Sequence, residues 1–167
     1  MTEPIAIGIG GNIGTEAALI ERFGRAREAI SLLAGRAISA PLFRTAAIGP
    51  MQSPFLNTAV RITLPDAQPA ELIAALLEIE RLLGRQRTLE TRWGPRTLDL
   101  DVLVWGARTL RTPELEVPHP RLAERRFALD PLVALFGSDF VVPGLGTVGT
   151  LVERVRDQRC EQIAEHW

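Results

Sequence analysis

Two aspartates separated by a single residue are the strongest candidates for chemistry in this chain. Asp99 and Asp101 lie in Leu98–Trp105, a segment whose apolar residues at alternate positions predict a β-strand. Alternate side chains of a strand project to one face, about 7 Å apart at their roots, so the two carboxylates repel each other. If buried, they need either arginine partners such as Arg96 or hard divalent ions such as Mg²⁺. A solvated polar strand face is the alternative.

An arginine-rich segment precedes this pair. Residues 84–97 form a loop longer than most connections in a compact domain, and it contains Arg85, Arg87, Arg92 and Arg96. Guanidinium groups bind phosphate oxygens bidentately and stay charged at any working pH. An arginine loop beside a metal-binding carboxylate pair suits phosphoryl transfer, which needs positioning and charge neutralisation more than a covalent nucleophile. The alternative is an exposed charged loop.

The composition narrows the class of function. All 19 basic residues are arginine, which excludes the lysine chemistry of P-loops, protein kinases and Schiff-base enzymes. A net charge of −1 argues against binding of bulk nucleic acid. The segment from Arg81 to Arg126 contains ten arginines and only six acidic residues. This local excess of positive charge indicates that the ligand is a small polyanion bound in this part of the chain.

The remaining composition predicts the setting of the protein. No apolar run reaches the roughly 18 residues of a membrane span, and the opening residues do not form a secretory signal. The single cysteine, Cys160, excludes an internal disulfide and fits a reducing compartment. We therefore expect a cytoplasmic monomer with one domain over residues 1–167 and neither nucleic-acid nor membrane partners.

The candidate residues sit in a β-α-β-β-α-β order of segments. Periodicity and turn residues predict four strands and two helices: strands Pro4–Ile9, Arg36–Thr45, Phe55–Leu64 and Leu98–Trp105, and helices from Thr15 to about Leu33 and from near Pro69 to Gly84. This order predicts an α+β, ferredoxin-like sandwich, an antiparallel sheet with its helices on one face.

Extra helices are predicted after Gly106. One runs from about Arg121 to Phe136 and is bent or broken by Pro131. A short apolar piece, Phe140–Val142, and a glycine-rich turn precede a last helix from Val148.

The segment Arg92–Leu103 resembles the signature of the 6-hydroxymethyl-7,8-dihydropterin pyrophosphokinase family. Other stretches resemble that family as well, and together they cover nearly the whole chain: the turn Gly10–Gly14, Phe43–Thr45 with Gly49-Pro50, Phe55–Asn57, Glu80 with Gly84–Arg87, and Val117–His119. The resemblance implies a ferredoxin-like fold and transfer of the terminal diphosphate of ATP to the hydroxymethyl group of a reduced pterin, with release of AMP, in folate biosynthesis.

The resemblance also implies a nucleotide site. Asp99 and Asp101 would hold two Mg²⁺ ions between the triphosphate and the acceptor hydroxyl, and with Arg85 and Arg96 they would form the catalytic group. The other implied nucleotide contacts are His119 and Arg125 on the phosphates, Arg87 and Trp93 on a closing loop, and Glu80 at the nucleotide side. A neutral ring N–H suffices for His119 to act as a phosphate donor, the role that we favour over general acid.

The implied pterin site has an aromatic and a polar part. Phe55 and Phe127 would stack on the two faces of the ring system, and Asn57 and Thr45 would bind its polar edge. For the two phenylalanines ordinary core packing is the alternative, and for Glu80 it is a surface ion pair with Arg81 or Arg87.

Two other functions remain open from the sequence. One is a ferredoxin-like binding module for RNA or a small regulatory ligand, although the aromatic pattern of RNA-reading sheets is absent from the sequence. The other is a family member that binds nucleotide without turnover.

Overall fold

The strand pattern of the sequence builds one main sheet and two small hairpins. In the computed structural model, which describes residues 2–167, the strands are β1 Pro4–Gly11, β2 Ile38–Ser39, β3 Leu42–Thr45, β4 Phe55–Thr63, β5 Asp99–Trp105, β6 Leu110–Arg111, β7 Glu116–Val117, β8 Val141–Val142, β9 Gly146–Thr147 and β10 Cys160–Ala164. The α-helices are α1 Glu16–Ala34, α2 Pro69–Leu82, α3 Arg126–Phe136 and α4 Val148–Arg154, and 3₁₀ turns cover Arg87–Leu89 and Leu122–Glu124.

The main sheet is antiparallel with the order β10-β3-β4-β1-β5, and β2 pairs with β4. The four strands β3, β4, β1 and β5 have the arrangement of a ferredoxin-like sheet, which confirms the predicted fold class. Strand β5 lies at one edge, so one side of its backbone has no strand partner within the described chain.

Helices cover both faces of this sheet. The apolar stripes of α1 and α2 pack on one face, against strand residues such as Ile7 and Leu100. The other face carries α3 and α4, which bury Leu129 and Leu151 against Ala6, and part of that face stays open as a cleft. Within residues 2–167, no helix combines the length and apolar character needed to cross a membrane.

Two of the predicted segments differ in the structure. The strand predicted for Arg36–Thr45 is two short strands. The N–H of Ala40 still donates to the carbonyl of Ala59, but Pro41 has no N–H to donate and the pairing is interrupted there. The helix predicted from Arg121 is interrupted at the extended residue Arg125 rather than at Pro131, which lies inside a continuous α3. Burial of the apolar face of α3 outweighs the one hydrogen bond that Pro131 removes.

The chain also ends differently from the prediction. After α4, residues Cys160–Ala164 form β10 and pair with β3, where no strand was predicted. The segment has only five residues, and its two polar residues, Glu161 and Gln162, are adjacent, so the sequence shows no clear alternation there.

Candidate functional site

Glycines form the floor of a cleft on the open face of the sheet. Asp99 pairs with Gly10 and Asp101 with Gly8 across β5 and β1, and directly opposed residues project to the same face. Neither glycine places a side chain over the sheet, and a Cβ at Gly10 would lie 2.8 Å from Oδ1 of Asn57. The two carboxylates therefore stand beside a cavity of about 210 Å³ that a larger floor residue would fill. The predicted common face of the aspartates is confirmed.

The two aspartates have different surroundings. Asp99 Oδ1 accepts a hydrogen bond of 2.7 Å from Nη1 of Arg85, and its side chain is 36% exposed. Among residues 2–167, no hydrogen bond or ion pair engages the Asp101 carboxylate. Burial and the neighbouring charge of Asp99 raise the pKa of Asp101 from 3.8 to about 7. Asp101 is thus the carboxylate that gains most from an added cation.

The donor set suits a divalent ion that takes few protein ligands. Within the described residues, no group of three or more His, Cys, Asp or Glu side chains could enclose a metal ion. Mg²⁺ is bound in nucleotide sites by one or two carboxylates, with water and phosphate oxygens completing its octahedron. Two carboxylates on one strand face, one of them without a hydrogen bond or ion pair from residues 2–167, fit this pattern.

Arg85 lies behind the cleft at the buried centre of a group of ions, which we call the Arg85 cluster: Glu80, Arg85, Arg87, Glu90 and Asp99. Glu80 is 1% exposed and Arg85 is 8% exposed. Burial opposes the charge of Arg85, but its hydrogen bond to Glu90 and the charges of Asp99 and Glu80 raise its pKa. Arg85, not the expected Arg96, is therefore the arginine that neutralises Asp99.

Glu80 holds three groups from inside the fold. Its Oε1 accepts the backbone N–H of Leu100 at 2.8 Å and lies 2.9 Å from Nη1 of Arg85, and its Oε2 accepts from Arg87 at 2.7 Å. Burial raises the pKa of Glu80 in spite of these bonds. The alternative for Glu80 was a surface ion pair with Arg81 or Arg87. The pairing with Arg87 is confirmed, but the position at the surface is wrong because Glu80 is buried. Its assignment to the nucleotide stays a prediction.

His119 presents one ring N–H to the cleft. Its Nδ1 accepts a hydrogen bond of 3.1 Å from the backbone N–H of Arg121, which assigns the proton to Nε2 in the neutral ring. Burial, followed by the charge of Arg125, lowers the pKa of His119 from 6.5 to about 4. At neutral pH this side chain is thus a neutral donor, which supports the donor role over that of general acid.

Arg125 is a cation in the cleft without a carboxylate partner. Its guanidinium lies 5.6 Å from the ring centroid of Phe127, and no side-chain hydrogen bond or ion pair engages it among residues 2–167. Burial and the charge of Arg121 lower the pKa of Arg125. A half-buried guanidinium that no carboxylate pairs with among residues 2–167 has the chemistry to hold an anionic ligand.

The other end of the cleft is aromatic and amide-lined. Phe55 and Phe127 both line the cavity, together with Thr45 and Asn57. Nδ2 of Asn57 donates to Oγ1 of Thr45 at 2.8 Å, and both residues are buried. Because this bond fixes the amide group, Oδ1 of Asn57 is left as an acceptor for a planar ligand with N–H donors.

Trp93 connects the arginine loop with Gln52 and with Arg121. Its backbone has a φ of 62°, and its carbonyl accepts from Nε2 of Gln52 at 2.7 Å. Its ring lies under the guanidinium of Arg121, 4.4 Å from the centroid. Gly49 passes so close that a Cβ there would lie 2.7 Å from the Trp93 Cβ, which requires glycine.

Asn12 connects the arginine loop with the loop that contains Gln52 and Ser53. Its Oδ1 accepts the backbone N–H of Arg96 at 2.8 Å, and its Nδ2 donates to Oε1 of Gln52 and to the carbonyl of Ser53, both at 2.9 Å. The side chain is 4% exposed. Both N–H donors and the oxygen of this amide thus serve to fix one loop against the other.

The structure brings most of the predicted site residues together and leaves three behind the cleft. The cavity is lined by Thr45, Phe55, Asn57, Trp93, Arg96, Asp99, Asp101, His119, Arg125 and Phe127. Glu80, Arg85 and Arg87 are not part of that lining. Sequence reasoning missed Asn12, Gln52, Glu90 and Arg121, and for the first of these the turn Gly10–Gly14 carried a signal.

Comparison with known proteins identifies the family to which the chain belongs. The model of the family 7,8-dihydro-6-hydroxymethylpterin-pyrophosphokinase (HPPK) matches residues 6–137. The 2-amino-4-hydroxy-6-hydroxymethyldihydropteridine pyrophosphokinase of Synechocystis is 38% identical over 152 residues, which are 89% of this chain and 74% of that protein. The Bacillus subtilis protein of that name is 39% identical over 135 residues, 77% of this chain and 75% of that protein.

Solved structures show the same fold. Wild-type Plasmodium falciparum HPPK-DHPS superposes with a TM-score of 0.67 at 12% identity, covering 92% of this chain and 45% of that one. A triple mutant of that protein with pteroate gives a TM-score of 0.69 at 14% identity, covering 94% and 44%. This chain spans less than half the length of those structures. By its family match and its bacterial relatives, the chain belongs to the 7,8-dihydro-6-hydroxymethylpterin-pyrophosphokinase family of diphosphotransferases.

Proposed function

We propose that this chain transfers the terminal diphosphate of ATP to the hydroxymethyl group of 6-hydroxymethyl-7,8-dihydropterin and releases AMP, with Mg²⁺ as the required ion. The hydroxyl oxygen of the pterin forms a bond to the β-phosphorus, the bond from that phosphorus to the oxygen bridging to the α-phosphorus breaks, and AMP leaves with that oxygen. The hydroxyl proton passes to solvent. The observation that carries the proposal is one cleft with unpaired anionic and cationic groups at one end and a planar aromatic site at the other.

The anionic end would bind the triphosphate. Asp99 and Asp101 would hold two Mg²⁺ ions, which would neutralise phosphate charge and help to activate the acceptor hydroxyl. Arg125 and the Nε2–H of His119 point to phosphate oxygens as ligands, because neither has an anionic partner in the described chain. Arg96 lines the same cavity. Arg85 and Arg87 belong to the proposed nucleotide site through the Arg85 cluster, and Glu80 would act there by holding them.

The other end would bind the pterin. Phe55 and Phe127 would stack on the flat ring system, each worth about 0.5–1.5 kcal/mol beyond the burial of area. Oδ1 of Asn57, fixed by the bond from its amide to Thr45, would accept from the amide and amine edge. Trp93, held between Gln52 and Arg121, would close the arginine loop over both substrates.

Product analysis tests the proposal. Purified protein is incubated with ATP, Mg²⁺ and the reduced pterin alcohol, and the products are separated by anion-exchange chromatography. We expect AMP and pterin diphosphate in equal amounts, with no AMP when the pterin or Mg²⁺ is omitted. Formation of ADP, or turnover that does not depend on the pterin, would contradict the proposed reaction.

A further inference from the structure

The N–H groups with which Arg85 could bind a phosphate are occupied by carboxylates of the protein itself. Nε donates to Oε1 of Glu90 at 2.9 Å, and Nη2 donates to Oε2 of Glu90 at 3.0 Å. Nη1 donates to Oδ1 of Asp99 at 2.7 Å and lies 2.9 Å from Oε1 of Glu80. The Nε–Nη2 edge is one of the two edges of a guanidinium that bind phosphate bidentately, and here Glu90 occupies it.

Arg96 is also engaged by the protein itself, mainly by backbone carbonyls. Its Nη1 lies within hydrogen-bonding distance of three backbone carbonyls of its own loop, those of Thr91, Gly94 and Pro95, at 3.0, 3.3 and 3.2 Å. Its Nε is 3.5 Å from Oε2 of Glu90. One carboxylate thus contacts both arginines of the proposed catalytic group.

Glu90 differs from the other two acids of the Arg85 cluster in its place in the fold. Glu80 is 1% exposed and also holds the backbone of Leu100, and Asp99 is fixed on strand β5. Glu90 instead follows the 3₁₀ turn Arg87–Leu89 in the arginine loop, outside the helices and strands of the fold. Its departure would free the bidentate edge of Arg85 and the Nε of Arg96 together.

We infer that Glu90 is a built-in competitor of the substrate phosphates: it occupies Arg85 and Arg96 when the nucleotide is absent and sets the affinity of the site for polyphosphate ligands. The inference rests on the proposed function, which assigns these arginines to ATP. A phosphate that binds Arg85 must displace this carboxylate, so part of the binding free energy is lost to breaking the pair. Glu90 thus weakens ATP binding without touching the substrate.

Calorimetric titration of a non-hydrolysable ATP analogue with Mg²⁺ tests the inference on the full chain. Glu90→Gln keeps the size of the side chain and removes its charge. We expect it to bind the analogue at least about fivefold more tightly than the wild type, which is the low end of typical coupling between competing ligands. Glu28→Gln is the control with the same change in net charge. Glu28 is exposed on α1, and within residues 2–167 it forms no ion pair, so its affinity should match the wild type.

Glu90→Asp separates direct pairing from the general field of a charge. This variant retains the charge but shortens the side chain by one methylene. If Glu90 acts by direct pairing, Glu90→Asp should bind the analogue more tightly than the wild type does. If it acts only through its field, the affinity should not change. Equal or weaker analogue binding by a folded Glu90→Gln protein, or an equal gain in Glu28→Gln, would overturn the inference. If neither the wild type nor any variant binds the analogue, the proposed function fails, and the titration is repeated with inorganic pyrophosphate. Tighter binding of pyrophosphate by Glu90→Gln than by the wild type supports the inference. Equal or absent binding overturns it.

Discussion

The carboxylate of Glu80 accepts a hydrogen bond of 2.8 Å from the backbone N–H of Leu100, the residue between the two aspartates of the cleft. Strand β5 is the edge strand, so this N–H has no strand partner in the described chain, and helix α2 supplies one. The same carboxylate binds Arg85, which in turn binds Asp99. Glu80 thus fixes the backbone and one side chain of the proposed metal site.

Removal of Glu80 should destabilise the fold. Glu80→Ala leaves Arg85 buried with one partner fewer and the Leu100 N–H without an acceptor, and breaking such a buried pair costs about 3–5 kcal/mol of unfolding free energy. Urea denaturation followed by circular dichroism measures it. Glu78→Ala, which breaks the exposed pair with Arg81 one turn away, is the control and should leave the midpoint unchanged. Equal midpoints for the two variants would show that the Glu80 network contributes nothing.

The two aspartates should be indispensable for turnover. Asp99→Asn and Asp101→Asn should each lower kcat/KM by at least about a hundredfold, because metal ligands contribute several kcal/mol to the transition state. Asp139→Asn, an exposed position outside the cleft, is the control. Either cleft variant with nearly full activity at saturating Mg²⁺ would exclude that residue from metal binding.

His119 should titrate far below an ordinary histidine. Its pKa of about 4 lies under the usual 6.5, so the neutral ring is the form that the fold favours. Its contribution to stability is therefore complete above pH 6.5 and is lost as the pH falls from there toward 4. NMR titration of the ring carbons, assigned with a His119→Gln variant, measures the midpoint. A midpoint near 6.5 would place the ring in solvent and remove the argument for a neutral donor.

Thr45 should affect the binding of the pterin and not the binding of the nucleotide. Thr45→Val removes the acceptor that holds the amide of Asn57, so the KM for the pterin should rise about fivefold, as expected for one net hydrogen bond. The KM for ATP should stay constant. Thr63→Val, exposed at the end of β4, serves as the matched control. A parallel rise of both KM values would mean that Thr45 supports the whole cleft rather than the pterin end.

The sequence predicted most of the fold and the common face of the aspartates because both depend on local periodicity. The alternation over Leu98–Trp105 sufficed to place Asp99 and Asp101 together, and their pairing with glycines of β1 confirms it. The interruption at Ala40-Pro41 and the short edge strand β10 were not predicted, because their pairing depends on distant segments.

The ion pairs of the site could not be predicted in the same way. Arg85 and Arg96 are equally plausible partners of Asp99 in the sequence, and only the path of the arginine loop decides between them. The burial of Glu80 depends on the packing of α2 against the edge of β5, which periodicity does not resolve. Motif resemblance found the residues of the cleft, whereas the partners that hold them, such as Asn12 and Glu90, required the structure.

Anomalous scattering from crystals grown with Mn²⁺, a non-hydrolysable ATP analogue and the pterin would locate the divalent ions of the cleft. Two carboxylates on one face of β5 should hold divalent ions against the phosphates, so we expect two manganese peaks between the oxygens of Asp99 and Asp101 and those of the triphosphate. A nucleotide bound in the cleft with no metal at either aspartate would contradict the account.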